Sequence, residues 1–149
     1  MRSRPARKRL AQIAIPFVLL LAGCGSVKSP TEPVEEPGGG TALPFSRIQA
    51  EILTPNCAKA GCHAASSGEG GLVLDMGRSH GEIVGRPSTQ RPSLARVEPG
   101  DPERSYLIKK LRGDPDITGG RMPLDRPGGL PQEQIDGIIA WVRTGAPND

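Results

Sequence analysis

Apolar positions recur at helical spacing in three separate stretches of this 149-residue chain. Phe45, Ile48 and Ile52 fall at i, i+3 and i+7, one face of a first helix. Ser46 with Gln49 three residues later predicts a capping box at its start, and Pro55 predicts its end. A middle helix is predicted from Asp101 as N-cap, Pro102 at its first position and Glu103 near the positive dipole end. Leu107, Ile108 and Leu111 supply its stripe, Lys109, Lys110 and Arg112 lie near its negative end, and Gly113 stops it. A last helix opens at Pro131, with Ile135, Ile138, Ile139 and Val142 at i, i+3, i+4 and i+7 and Trp141 widening the stripe; Gly145 and Pro147 close it. The segments between are rich in turn residues, and no internal repeat appears. The fold class that follows is small all-α, with three main helices and long loops.

The front of the chain has another character. Arg2, Arg4, Arg7, Lys8 and Arg9 precede an apolar run from Leu10 to Ala22 that contains Pro16. The run is too short for a comfortable membrane span and reads as the core of a signal peptide, residues 1–23. It ends in Leu21-Ala22-Gly23-Cys24, which resembles the lipobox of bacterial lipoproteins. That resemblance implies an acylated Cys24 as first mature residue, a membrane anchor, and a place in the cell envelope. Gly25 after it implies the outer membrane, with the protein facing the periplasm or the surface. Residues 25–44 carry Pro33, Pro37, Gly38-Gly39-Gly40 and Pro44 without apolar periodicity, so 24–44 is expected to be lipidated cysteine plus flexible linker. Its reach is about 25 Å as a coil and about 60 Å if extended like polyproline. The folded domain is then 45–149.

Charge changes meaning once the signal is set aside. The whole chain has a formal charge of +3, but residues 24–149 hold 14 Lys+Arg against 16 Asp+Glu, a net −2. Nucleic-acid binding loses its compositional support. Gly (20) and Pro (16) make up nearly a quarter of the chain, which excludes a coiled coil. With Phe17, Phe45, Tyr106 and Trp141 as its aromatics, the chain is also a poor candidate for an all-β sandwich. So few large side chains suggest that something other than protein helps to fill the core. Nothing argues for a Ser/His/Asp constellation, a phosphate-cradling loop or a catalytic carboxylate pair, and the expectation is a protein that is not an enzyme.

Chemistry concentrates in Cys57-Ala58-Lys59-Ala60-Gly61-Cys62-His63. Two cysteines with a histidine directly after the second read as covalent haem attachment: the thiols add to the haem vinyls as thioethers, and the imidazole reaches the iron. The usual spacing leaves two residues between the cysteines; four intervene here. Five positions turn a regular helix by about 500°, placing the thiols about 140° apart around the axis. The segment must therefore bulge, and Gly61 is the place that tolerates it. Two other readings stand beside this one: a Cys57–Cys62 disulfide formed in an oxidising compartment, and a zinc site completed by His80 or carboxylates.

From Ile52 to Ala146 the order of segments resembles small exported monohaem cytochromes c with an expanded C-x4-C-H motif. The matching stretches are Ile52-Leu53-Thr54-Pro55, Gly61-Cys62-His63, Gly71-Leu72-Val73-Leu74-Asp75 and Val97-Glu98-Pro99-Gly100-Asp101-Pro102, then Ser105-Tyr106-Leu107, Arg121-Met122-Pro123 and Ile139-Ala140-Trp141-Val142. The resemblance implies a cytochrome c-like domain around one haem c, bound covalently through Cys57 and Cys62 with His63 as an axial ligand. Met122, before proline on a loop ahead of the last helix, is implied as the other axial ligand; His80 and Met76 compete with it in principle. The implied function is a membrane-anchored electron carrier that exchanges electrons with redox proteins of the envelope. Lys109, Lys110, Arg112, Arg121 and Arg126 would surround haem propionates or form a docking face, or be merely solvated, as His80 is expected to be. A haem-free, disulfide-closed lipoprotein that serves as an interaction scaffold is the alternative, and a haem enzyme or gas sensor with an exchangeable iron position is a third.

Overall fold

The computed structural model describes residues 41–149. The expected export signal, Cys24 and nearly all of the expected linker lie outside the described residues. Within them the architecture is helical and contains no strand, only isolated bridges such as Val84 with Val97 and Ala95 with Ser105. No helix among them is long and apolar enough to cross a membrane.

The first helical stretch is continuous but changes pitch: α1 (Phe45–Arg47), a π-helical segment (Ile48–Leu53) and α2 (Thr54–Asn56). The expected capping box does not form. Pro44 occupies the N-cap, and the free donors are taken up from the far end of the chain: Phe45 N–H donates to Asp149 Oδ1 and Ser46 N–H to Asp149 O, both at 2.8 Å. Gln49 is drawn inward instead. Its Nε2 donates to Leu74 O and to Thr54 Oγ1, each at 3.0 Å, and its Oε1 accepts from the fully buried Ser79 hydroxyl. Pro55 does not end the helix either. It sits in the first turn of α2, where the π-to-α change leaves a backbone donor unneeded.

A short helix, α3 (Ser79–Ile83), follows the glycine-rich loop. Its sequence, with Gly81 inside and Ile83 as its one large apolar residue, has no helical stripe to find. The middle helix, α4 (Tyr106–Arg112), starts several residues later than expected. Asp101 caps only a local turn, accepting at Oδ1 from Arg104 N–H at 3.1 Å. Ser105 is locked in extended form because the following N–H, on Tyr106, donates to Ala95 O at 2.9 Å, while the Ser105 hydroxyl accepts from Glu98 N–H and donates to Asp101 O. Tertiary bonds therefore set the boundary, against the local signal. Gly113 ends α4 as expected, in the left-handed region at φ 78°.

The last helix, α5 (Gln132–Arg143), follows the periodicity closely, with Pro131 at the N-cap. Ile135, Ile138, Val142 and Trp141 are at most 1% exposed. They share one core with Phe45, Ile48 and Ile52 of the first stretch and Ile108 and Leu111 of α4, completed by Leu74 and Val97 from the loops. The Phe45 and Trp141 rings lie 5.3 Å apart, and the indole N–H donates to Pro147 O at 2.9 Å. Trp141→Ala is expected to cost about 3–5 kcal/mol, the range for large aromatic truncations in a closed core. A urea midpoint within error of the parent would show that α5 does not hold this core.

Candidate functional site

The turn after α2 is built to leave the helix. Cys57 N–H still donates to Leu53 O at 2.9 Å, but Cys57 itself has φ −125° and breaks the helical path. The chain then folds back: Cys62 N–H donates to Lys59 O at 2.9 Å and His63 N–H to Cys57 O at 3.1 Å. Gly61 supplies the reversal at φ 77°, a conformation that a side chain would strain. The segment thus bulges as the C-x4-C-H spacing demands, and Cys57, Cys62 and His63 all reach the wall of one cavity of about 560 Å³.

His63 is oriented from behind. Its Nδ1 lies 3.3 Å from Leu72 O, and a carbonyl can only accept, so Nδ1 is the donor in this contact and Nε2 is the ring nitrogen left for another partner. Leu74 N–H donates to His63 O at 2.7 Å, fastening the Gly71–Asp75 loop to the same residue. Asn56, buried beside Cys57, ties its side chain to Ile52 O at 2.9 Å.

Met122 lines the same cavity from another direction. Its loop is clamped to the end of α4: Met122 N–H donates to Lys110 O at 2.9 Å and Arg121 Nε to Leu111 O at 2.7 Å. Pro123, itself buried, lines the cavity next to it, and the Lys59–Asp125 ion pair ties the cysteine loop to the Met122 loop. Leu72, Ile83, Leu107 and Leu111 give the cavity its apolar wall. Its polar lining includes Thr89, Gln90, Arg96 and Tyr106. There Tyr106 donates its hydroxyl to Gln90 Oε1 at 3.2 Å and accepts from Thr118 N–H at 2.9 Å, while Arg96 donates to Gly71 O and Glu82 O.

His80 and Met76 do not line this cavity. They border a second, smaller one of about 370 Å³ beside Phe45 and Asp149. His80 is not the solvated residue that its polar loop suggests. Its ring stands edge-on to Phe45 at 4.9 Å, and its Nε2–H donates to Ala146 O at 2.9 Å. Met76 is exposed. Among the described residues no group of three or more His, Cys, Asp and Glu is arranged to hold a metal ion, and His80, the other histidine considered for zinc, borders a different cavity from Cys57 and Cys62.

The expected basic ring around the site is mostly committed elsewhere. Lys109 pairs with Asp114 and Asp116, Arg112 with Glu103, and Arg121 lies across Gly113 and Gly129; Arg126 remains exposed. Lys110 is buried and lines the cavity, a role that its place in a run of basic residues conceals. The available signal was its spacing from Tyr106, four positions on the same face of α4.

The two thiols are free and half-buried. Burial pushes the Cys57 thiol up to about 11 from an ordinary 9.0, against a smaller lowering by Lys59. The unfolded thiol ionises first, so the stability of protein with free thiols is expected to fall as pH rises from about 9 towards about 11. Alkylation of Cys57 in folded haem-free protein should be slow at pH 8 and accelerate through the same window. Peptide mass spectrometry of timed iodoacetamide reactions checks this, and rapid labelling of Cys57 at pH 8 contradicts it. No protein-family model, no curated protein and no solved structure matches the chain.

Proposed function

We propose that this domain is a cytochrome c-like, single-haem electron carrier tethered in the cell envelope. The observation that carries the reading is the convergence of Cys57, Cys62, His63 and Met122 on one cavity with an apolar wall. These residues fit the group: Cys57 and Cys62 would hold it by thioethers, and the His63 imidazole and the soft Met122 thioether would ligate its iron. When bound, haem c supplies an iron that alternates between ferric and ferrous states by one electron.

The chain's own contributions are physical. Leu72 O holds the His63 ring in the tautomer that leaves Nε2 as the ligating atom. The α4-clamped loop holds Met122 at the cavity, where its thioether would stay within reach of a bound iron in either oxidation state. Leu107, Leu111 and Ile83 exclude water, and a neutral thioether facing that wall favours the ferrous form relative to a second imidazole. No substrate is bound or transformed. Electrons come from and pass to redox proteins of the envelope, and acylation at Cys24 supplies the anchor.

Intact mass spectrometry of protein exported in a host with a complete haem-attachment system tests the reading. The expected product is the processed polypeptide plus one haem, with Cys57 and Cys62 both resistant to alkylation. Colourless protein from the native envelope with those two sulfurs joined to each other overturns it.

A further inference from the structure

Lys110 occupies an unusual position for a lysine. It is 7% exposed, its side chain lines the large cavity, and its Nζ donates to Thr118 O and Gly120 O, both at 2.8 Å. Among the described residues no carboxylate forms an ion pair with it, whereas its neighbours Lys109 and Arg112 each pair with acids. The same residue's backbone carbonyl accepts from Met122 N–H at 2.9 Å. A single position therefore grips the 118–122 loop at three points, two through the ammonium and one through the main chain. A buried ammonium is costly to keep without a counter-charge, and hydrogen bonds to a charged donor are about twice as strong as neutral ones. A methionine or leucine here would fill the wall without that cost.

We propose that Lys110 is a positioning residue that clips the Met122 loop against the cavity, and that its unneutralised charge biases a bound iron towards the ferrous state. The second half rests on the electron-carrier reading; the first does not. A fixed positive charge facing the cavity opposes the additional positive charge of ferric iron, and the low effective dielectric of the site lets that repulsion act. Retention of Met122 works in the same direction, because a thioether prefers ferrous iron. The structure thus couples ligand retention and potential through one side chain.

The experiment uses the full exported chain with Lys110→Met, which keeps the length and removes the charge and the donors, and Lys110→Arg, which keeps the charge. Amide hydrogen exchange at Met122 is expected to be at least tenfold faster in Lys110→Met. At a fixed solution potential its ferric-to-ferrous ratio should rise about tenfold, a fall of 59 mV for a one-electron couple. Lys110→Arg should restore the potential and part of the protection, a rescue that simple cavity filling would not give. Should the Met variant fail to accumulate, Lys110→Gln is expected to move both readings in the same direction by less. Haem-loaded protein in which the neutral variant keeps parental exchange and potential overturns the proposal and leaves the electron-carrier reading standing. Colourless parental protein overturns that reading and the charge bias with it; exchange at Met122 then decides the clip, and an unchanged rate overturns it.

Discussion

Full-length protein carrying Cys57→Ser and Cys62→Ser is expected to emerge without covalent haem and to melt on the order of 20 °C below the parent. The local cost of two half-buried thiol-to-hydroxyl changes is small, about 1 kcal/mol each or less, and cannot produce such a fall. The cavity can. Left unfilled, the cavity of about 560 Å³ leaves its half-buried wall residues Leu72 and Leu107 open to water and gives up the apolar area that a bound group would cover, at roughly 25 cal/mol per Å². Circular dichroism melts together with intact mass decide the matter. A cysteine-free protein with the parent's melting temperature and cooperativity would mean that the polypeptide core suffices and that the cavity is not a haem site.

If the electron-carrier proposal holds, Met122→Ala should open an iron position. The ferrous form of the variant is then expected to bind carbon monoxide readily where the parent does not, and its midpoint potential should fall for want of a thioether that would favour ferrous iron. The contrast lies in His80→Ala. His80 borders the other cavity, packed on Phe45 and bonded to Ala146 O, so its loss should lower stability by about 1 kcal/mol and leave the ferrous spectrum and carbon monoxide response at the parent's values. Carbon monoxide binding gained in His80→Ala and absent in Met122→Ala would reverse the ligand assignment. Binding by the parent itself would favour a sensor or enzyme over a carrier.

What the sequence disclosed follows from the range of the forces involved. α5 was legible almost to the residue because its stripe is long and its face buries wholly in one core. The chain reversal at Gly61 was legible because five positions on a helix cannot bring two thiols to one wall. The starts of the first helix and of α4 were not. Asp149, more than a hundred residues away, supplies the acceptors that the Ser46 box was expected to provide, and Ala95 holds Ser105 and Tyr106 out of the earlier helical start. The same holds at the site. The Cys57, Cys62, His63 and Met122 candidates came from local pattern and resemblance, but the burial of Lys110 and the packing of His80 on Phe45 exist only once distant segments meet. Gln49 was read for its spacing from Ser46, yet its partners lie on Leu74 and Ser79.

The bonds from Phe45 and Ser46 to Asp149 make the domain nearly a closed ring in connectivity. Its entry and exit can be bridged by a few residues, and new ends can be opened at the exposed Pro127–Gly128 turn without cutting a helix. Such a circular permutant would place α5 ahead of the Cys57–His63 segment, so that the last helix is made first and the Met122 loop last. The order in which the pieces are made thereby becomes separable from the order in which they pack.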